Sequence, residues 1–306
     1  MSELEIDRRD LVLLGILSIL WGGSFFFVGV AVNELPACTI VFGRVAIAAP
    51  LILSVLAFLR MRLPADARLW FSFFVMSLLN NVAPFLLITL GQKQMPSGLA
   101  SIINATTPLF TVLIMAAFGE ERLIVSKVLG VLVGLIGVAI LYGAGKFLTG
   151  HSSGIVLCLG AALSYGFAGF WGRRTLSGIP PITSTAGQLM CSSVIMAFVA
   201  SFVDHPWQLP MPSESTWLAL IGLAAFSTAL AYVIFFQILL RSGGTTVMLV
   251  TLLIPVTAIY LGHVFLGEPV NAREIIGAIT IGSALIIVDG RALRWIQAQA
   301  DIGRSR

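Results

Sequence analysis

Ten stretches of this sequence run for about twenty residues with almost no charge, the length of apolar helix needed to cross a ~30 Å hydrocarbon layer. They lie at 11–32, 38–59, 70–91, 97–118, 125–143, 153–172, 183–203, 217–239, 245–266 and 274–290. A chain in lipid has no water to satisfy its backbone N–H and C=O groups, so each stretch is expected to be a helix. The whole chain is 306 residues, 58% hydrophobic and only 10% charged. Soluble domains carry about a quarter charged residues, and ten spans with short connectors leave no length for a soluble catalytic domain. The first stretch opens after a charged segment, Glu5 to Asp10, and has no small-residue cleavage site. It is expected to stay in the mature protein.

Lys and Arg collect on the cytoplasmic side of membrane proteins. With the N-terminus inside, fourteen of them fall on the cytoplasmic side, from Arg8 to Arg306, and only Lys93, Lys146 and Arg273 fall outside. Both termini are therefore read as cytoplasmic. This bias accounts for the net charge of +4 and the pI near 9.3, so no nucleic-acid partner is expected; the partners are the lipid bilayer and a small-molecule substrate. Cys38, Cys158 and Cys191 are odd in number and widely spaced within apolar runs, which points to packing and to neither a disulfide nor a zinc site.

Sliding the chain against itself by 147 residues superposes Trp70 on Trp217, Pro108 on Pro255, Phe118 on Phe265, Glu121 on Glu268 and Gly130 on Gly277 without a gap. Earlier in each half, an offset of 144 lays Gly43 and Arg44 on Gly187 and Gln188. This predicts an all-α integral membrane fold of two five-helix repeats, 11–143 and 153–290. The tails 1–10 and 291–306 would be cytoplasmic and the connector 144–152 periplasmic. Five is odd, so the second repeat enters the membrane from the opposite side. Inverted repeats are a common transporter plan, with the substrate site between the halves near mid-membrane.

The segment from Leu90 through Gln92, Met95, Pro96, Ser97, Asn104, Thr106, Thr107 and Pro108 to Phe118, Glu121 and Gly130 resembles the EamA-type, ten-helix branch of the drug/metabolite transporter superfamily. Trp21 to Ser24 and Phe42 to Arg44 are similar to its first-repeat pattern, and Pro255 to Gly277 repeat the signature. The resemblance covers essentially the whole chain. It implies a multi-pass carrier of the bacterial inner membrane, commonly an exporter of amino acids or related metabolites.

Polar groups inside an apolar span are costly and so point to function. Arg44 is the one basic residue within a span, and its planar fork suits a carboxylate; the competing reading is a structural arginine paired with Glu34 or Glu268. Asn80 and Asn81 lie mid-span, and Asn81 aligns with Thr228. Asn104, Thr107 and Pro108 form one proline site and Thr251 and Pro255 its repeat mate. Each proline removes a backbone hydrogen bond, freeing the carbonyl of Asn104 or Thr251, and the two prolines read as a hinge pair. Gln188 aligns with Arg44, Trp21 aligns with Tyr165, and Tyr232 and Gln237 add polar groups to an aromatic lining. His263, near the outer end of its span, is a possible proton site. Glycine spacings such as Gly130 to Gly134 are read as internal packing, so the chain is expected to work as a monomer.

No zinc-protease, nucleophile-elbow, phosphate-loop or Cys-x-x-Cys motif occurs, and no metal or cofactor is expected. Without a nucleotide-binding motif, transport would be secondary. The function expected is export of small metabolites, amino acids with aromatic or other apolar side chains foremost, by alternating access. The alternatives are a membrane enzyme acting on a lipid or isoprenoid at the outer face, built from His263, Glu268 and Arg44, and a non-transporting receptor.

Overall fold

The computed structural model describes residues 8–142, 152–248 and 250–289. The tails and the 144–152 connector fall largely outside these residues. What is described is all-helical. In chain order come α1 (Arg8–Ala31), α2 (Ala37–Phe58), α3 (Ala67–Ser77, then a π-helical segment Leu78–Val82, then Ala83–Gln92) and α4 (Ser97–Asn104 and Thr107–Ala117). They are followed by α5 (Val125–Tyr142), α6 (Ser152–Thr175) and α7 (Pro181–Val203). The last are α8 (Glu214–Ala224, a π-helical segment Ala225–Leu230, then Ala231–Met248), α9 (Val250–Leu266) and α10 (Ala272–Asp289). Among the described residues, seven helices are long and apolar enough to cross a membrane, and α5 and α9 are shorter apolar helices.

Local chemistry explains the ends. Asp66 and Ser213, 147 residues apart, cap α3 and α8 by accepting from the N–H groups of Arg68 and Thr216. Their side chains satisfy donors that have no partner inside the helix. α4 and α9 each stop beside a glycine in the left-handed region, Gly119 at φ +73° and Gly267 at φ +65°, where a Cβ would be strained.

The main helix contacts come in pairs related by exchange of the halves. α1 lies on α9 as α6 lies on α4; α3 lies on α6 as α8 lies on α1; α3 meets α7 as α8 meets α2; and α2·α7, α4·α9 and α5·α10 map onto themselves. The two π-helical segments also occupy repeat-related positions. The glycine spacings do lie at internal contacts: a Cβ on Gly130 would meet Val288 and the backbone of α10 at 2.4–3.0 Å, and one on Gly166 would press on the α4 backbone at 3.2 Å.

Two expectations change. α8 continues through Ser242, Gly243 and Gly244, between the expected spans 217–239 and 245–266, to Met248. Adjacent glycines lower helix propensity without forbidding the helix. α4 is interrupted at Ala105 and Thr106, so Pro108 sits in the first turn of its second segment, whereas Pro255 lies inside an unbroken α9.

Three carboxylates tie the end of the bundle that carries the α3–α4 connection. Asp204 accepts from the Thr39 N–H at 2.7 Å, Glu34 accepts from the N–H and hydroxyl of Ser213 at 2.7 and 2.6 Å, and Glu268 accepts from the N–H of Ser97 at 2.9 Å and its hydroxyl at 2.7 Å. These are charge-assisted bonds at or beside helix N-termini, where the dipole favours an anion.

Gly130→Ala is expected to lower the thermal midpoint of detergent-purified protein, at a cost of about 1–3 kcal/mol for overpacking. Gly15→Ala, with nothing within 4 Å of its added methyl, should leave the midpoint unchanged; equal effects would refute the close-approach argument. The Ser213 hydroxyl, and then its N–H, hold the Glu34 carboxyl below the usual carboxylate range. A lowered carboxylate contributes above its ordinary value and ceases to as pH falls through the lowered one. Hydrogen-exchange protection of the Ser213 amide should therefore fall on acidification in the wild type, and Glu34→Gln should remove that pH dependence.

Candidate functional site

A cavity of about 570 Å³ lies between the two halves, lined mostly by apolar atoms. α1 contributes Trp21 and Phe25, α3 Asn80 and Phe85, α4 Asn104 and Thr107, α6 Tyr165, α7 Gln188, and α8 Tyr232, Phe235 and Phe236. Its lining at one end, Val28, Gln92 and Ser101, is buried, while Ile179, Pro181 and Ser184 at the α6–α7 end are partly exposed. The lining is thus buried beside the carboxylate ties and in part exposed toward the opposite end.

Among the described residues, Arg44 is the only charged one in this lining. Its guanidinium carbon sits 3.5 Å from the centroid of the Phe85 ring, a cation–π geometry, and its Nε donates to Thr228 Oγ1 at 2.9 Å. Among the described residues no carboxylate pairs with it. The expected structural partners are engaged elsewhere, Glu34 with Ser213 and Glu268 with Ser97. The pairing with Glu34 or Glu268 is corrected accordingly, and Arg44, Glu268 and the exposed His263 do not form one constellation.

Across the repeat, Arg44, Asn80, Asn81 and Phe85 correspond to Gln188, Ser227, Thr228 and Tyr232. The structure interleaves the two sets. Asn80 Nδ2 donates to Gln188 Oε1 at 2.9 Å and to the Tyr232 hydroxyl at 3.0 Å, and the Tyr232 hydroxyl donates to Asn81 Oδ1 at 3.3 Å. Asn81 Nδ2 reaches Ser192 Oγ at 2.9 Å. Asn81 and Thr228 are fully buried and stand behind the cavity wall as supports.

The other expected site residues divide cleanly. Trp21, Arg44, Asn80, Asn104, Thr107, Tyr165, Gln188 and Tyr232 all line the cavity, as do Pro108 and Thr251. Pro255 lies off it, against Ile102, Leu252 and Gly282. Gln237 is exposed. His263 Nδ1 lies 3.0 Å from the Glu268 carbonyl oxygen, away from the cavity. The carbonyl of Asn104 expected to be free accepts from Thr107 Oγ1 at 2.7 Å, so the proline leaves no open acceptor there. Sequence reasoning missed Phe85 and Ser227, although the 147-residue offset maps them onto Tyr232 and Asn80 and would have found them. Phe235, Phe236 and Gln92 carried no signal beyond apolar periodicity or position at a helix end.

The sequence pattern of the EamA-like transporter family matches residues 10–143 and again residues 152–288. The chain belongs to the EamA-like transporter family. It is 28% identical over 290 residues to the "uncharacterized transporter YvbV" of Bacillus subtilis, covering 93% of this chain and 92% of that one. To the "uncharacterized inner membrane transporter YedA" of Escherichia coli K12 it is 27% identical over 285 residues, 92% of each. A "probable amino-acid metabolite efflux pump" of Salmonella typhimurium is 28% identical over 307 residues, covering 92% of this chain and 95% of that protein. A crystal structure superposes with a TM-score of 0.65 at 19% identity over 92% of this chain and 97% of its own, a likeness of fold. This member of the family is a multi-pass membrane protein.

Thr228→Val removes the oxygen that accepts from Arg44 and leaves a buried donor unpaired, a cost of about 1–3 kcal/mol. Its thermal midpoint in detergent should fall clearly below that of Thr228→Ser, which keeps the hydroxyl; equal midpoints would show that the contact contributes nothing.

Proposed function

We propose that this chain is a secondary transporter of the bacterial inner membrane that exports small metabolites, foremost amino acids with aromatic or other apolar side chains. In this reading it has ten spanning helices in two inverted five-helix repeats, 11–143 and 153–290, with both termini cytoplasmic, and it works as a monomer without a cofactor. The observation that carries the reading is the cavity between the halves: apolar, aromatic, and holding one guanidinium with no acid partner among the described residues. A solute with an apolar body and a carboxylate matches that wall.

Further support comes from the doubled family match and from main helix contacts paired by exchange of the halves. The efflux pump and the inner-membrane transporter among the relatives agree with direction and location. With the Lys and Arg bias setting orientation, the partly exposed end of the cavity faces the cytoplasm and the carboxylate-tied end faces out. Alternating access then means loosening the outer ties while the inner end closes. The break in α4 before Pro108 is the hinge for this movement, with Pro255 as its counterpart in α9, and His263 is a candidate proton site beside the outer tie made by Glu268.

The test is counterflow in proteoliposomes loaded with an amino-acid mixture, labelled solutes being added outside one at a time without a pH gradient. Accumulation of an apolar amino acid is the expected result; none, with protein shown to be folded, refutes amino acids as the cargo. In the same assay Pro108→Ala should slow flux several-fold while half-saturation changes less than twofold, because a hinge gates motion more than binding. Equal loss of both would remove the hinge.

A further inference from the structure

Resting on that reading, the structure also assigns the charge of the preferred solute. We infer that the cavity recognises the carboxylate and does not recognise an α-ammonium, so that apolar monocarboxylates lacking the amine, the 2-oxo and 2-hydroxy acids, are its better ligands.

The argument begins with net charge. Arg44 is 9% exposed, its guanidinium lies over Phe85, and among the described residues the cavity lining contains no Asp or Glu. The empty site therefore carries one uncompensated positive charge. A monocarboxylate brings the buried assembly to neutrality, whereas a zwitterion leaves it at plus one. Burying an unpaired charge is costly unless a carboxylate or several hydrogen bonds meet it, so an ammonium needs acceptors in the wall.

The carbonyls and the amide oxygen best placed to meet it already accept hydrogen bonds. The Asn104 carbonyl takes the Thr107 hydroxyl at 2.7 Å, the Thr107 carbonyl takes the Thr111 hydroxyl at 3.0 Å, and the Trp21 carbonyl takes the Ser24 hydroxyl at 2.7 Å. Gln188 Oε1 accepts from Asn80. Of the side-chain oxygens in this wall, those of Gln92, Asn104 and Ser227 are buried without a partner, and the hydroxyls of Tyr165 and Ser184 are neutral and bring no charge to balance an ammonium. Donors differ: one edge of the guanidinium is spent on Thr228 through Nε, and the terminal NH₂ groups remain to grip a carboxylate through two bonds. The repeat sharpens the point, because the position equivalent to Arg44 is the neutral Gln188 and offers no second charge to balance.

The experiment is competition in the counterflow assay with wild-type protein and labelled phenylalanine, against phenylpyruvate, phenyllactate and phenethylamine. Phenylpyruvate and phenyllactate should compete with half-inhibition about tenfold lower than unlabelled phenylalanine, given the cost of like-charge juxtaposition, and labelled phenylpyruvate should itself exchange. Phenethylamine should not compete. Arg44→Gln should abolish the preference for the amine-free acids, and Arg44→Lys, which keeps charge without the fork, should retain it with weaker binding. Should Arg44→Gln fail to fold, the wild-type series and Arg44→Lys decide the question. Phenylalanine exchanging while phenylpyruvate competes no better would overturn this inference and leave the carrier reading in place. No exchange of any of the acids by folded protein would overturn both.

Discussion

The rest of this structure depends on one constraint, that a backbone in hydrocarbon must satisfy its own hydrogen bonds. Three departures from regular α-helix, at Leu78–Val82, at Ala225–Leu230 and at the break in α4, all border the cavity or its supporting wall. At each, a hydroxyl bonds a carbonyl of the preceding turn: Ser77 that of Phe74, Thr228 that of Leu223, Thr106 that of Ile103. Many of the Ser and Thr residues that look like binding groups in the sequence thus serve the backbone first. Polar atoms left to face a solute are correspondingly few.

Symmetry of packing and asymmetry of charge coexist in the same site. Two sets of four residues, related by the repeat, cross over so that each half supports the other: Thr228 of the second holds Arg44 of the first, and Asn80 of the first holds Gln188 of the second. One set carries a cation and the other a neutral amide. A cavity built this way has one charged pole at a near-symmetric interface, which orients any solute that binds. At one end of the bundle three carboxylates bind groups at helix N-termini; at the other, Asp10 pairs with Arg241 at 3.3 Å and Glu120 with Arg173 at 4.0 Å.

Much of the fold was legible because burial in lipid leaves a coarse signature. Apolar runs located the helices to within a few residues, the C-terminal end of α8 excepted, and the proline, glycine and glutamate coincidences at a fixed offset located the repeat. Most of the cavity-lining residues expected from the sequence are there because a polar or amphipathic side chain in an apolar span has few other places to go. Asn81 and Thr228 show where that reasoning stops: they are as polar and as central as Asn80, but one residue further around the helix puts them behind the wall. Phe85 illustrates the converse, since an apolar residue in an apolar span is silent until its ring is found beneath Arg44.

By itself, then, the sequence determined the number and register of the apolar segments, the internal repeat and the single cation among them, since each depends on composition along the chain. Tertiary structure alone decided that Glu34 and Glu268 are held by Ser213 and Ser97 and are unavailable to Arg44. It also decided that α4 breaks where α9 does not, and that the carbonyls beside Pro108 are already satisfied. These are distances between segments remote in sequence and choices among hydrogen-bond partners of similar energy. Packing of helix on helix selects between them, and no periodicity records the selection.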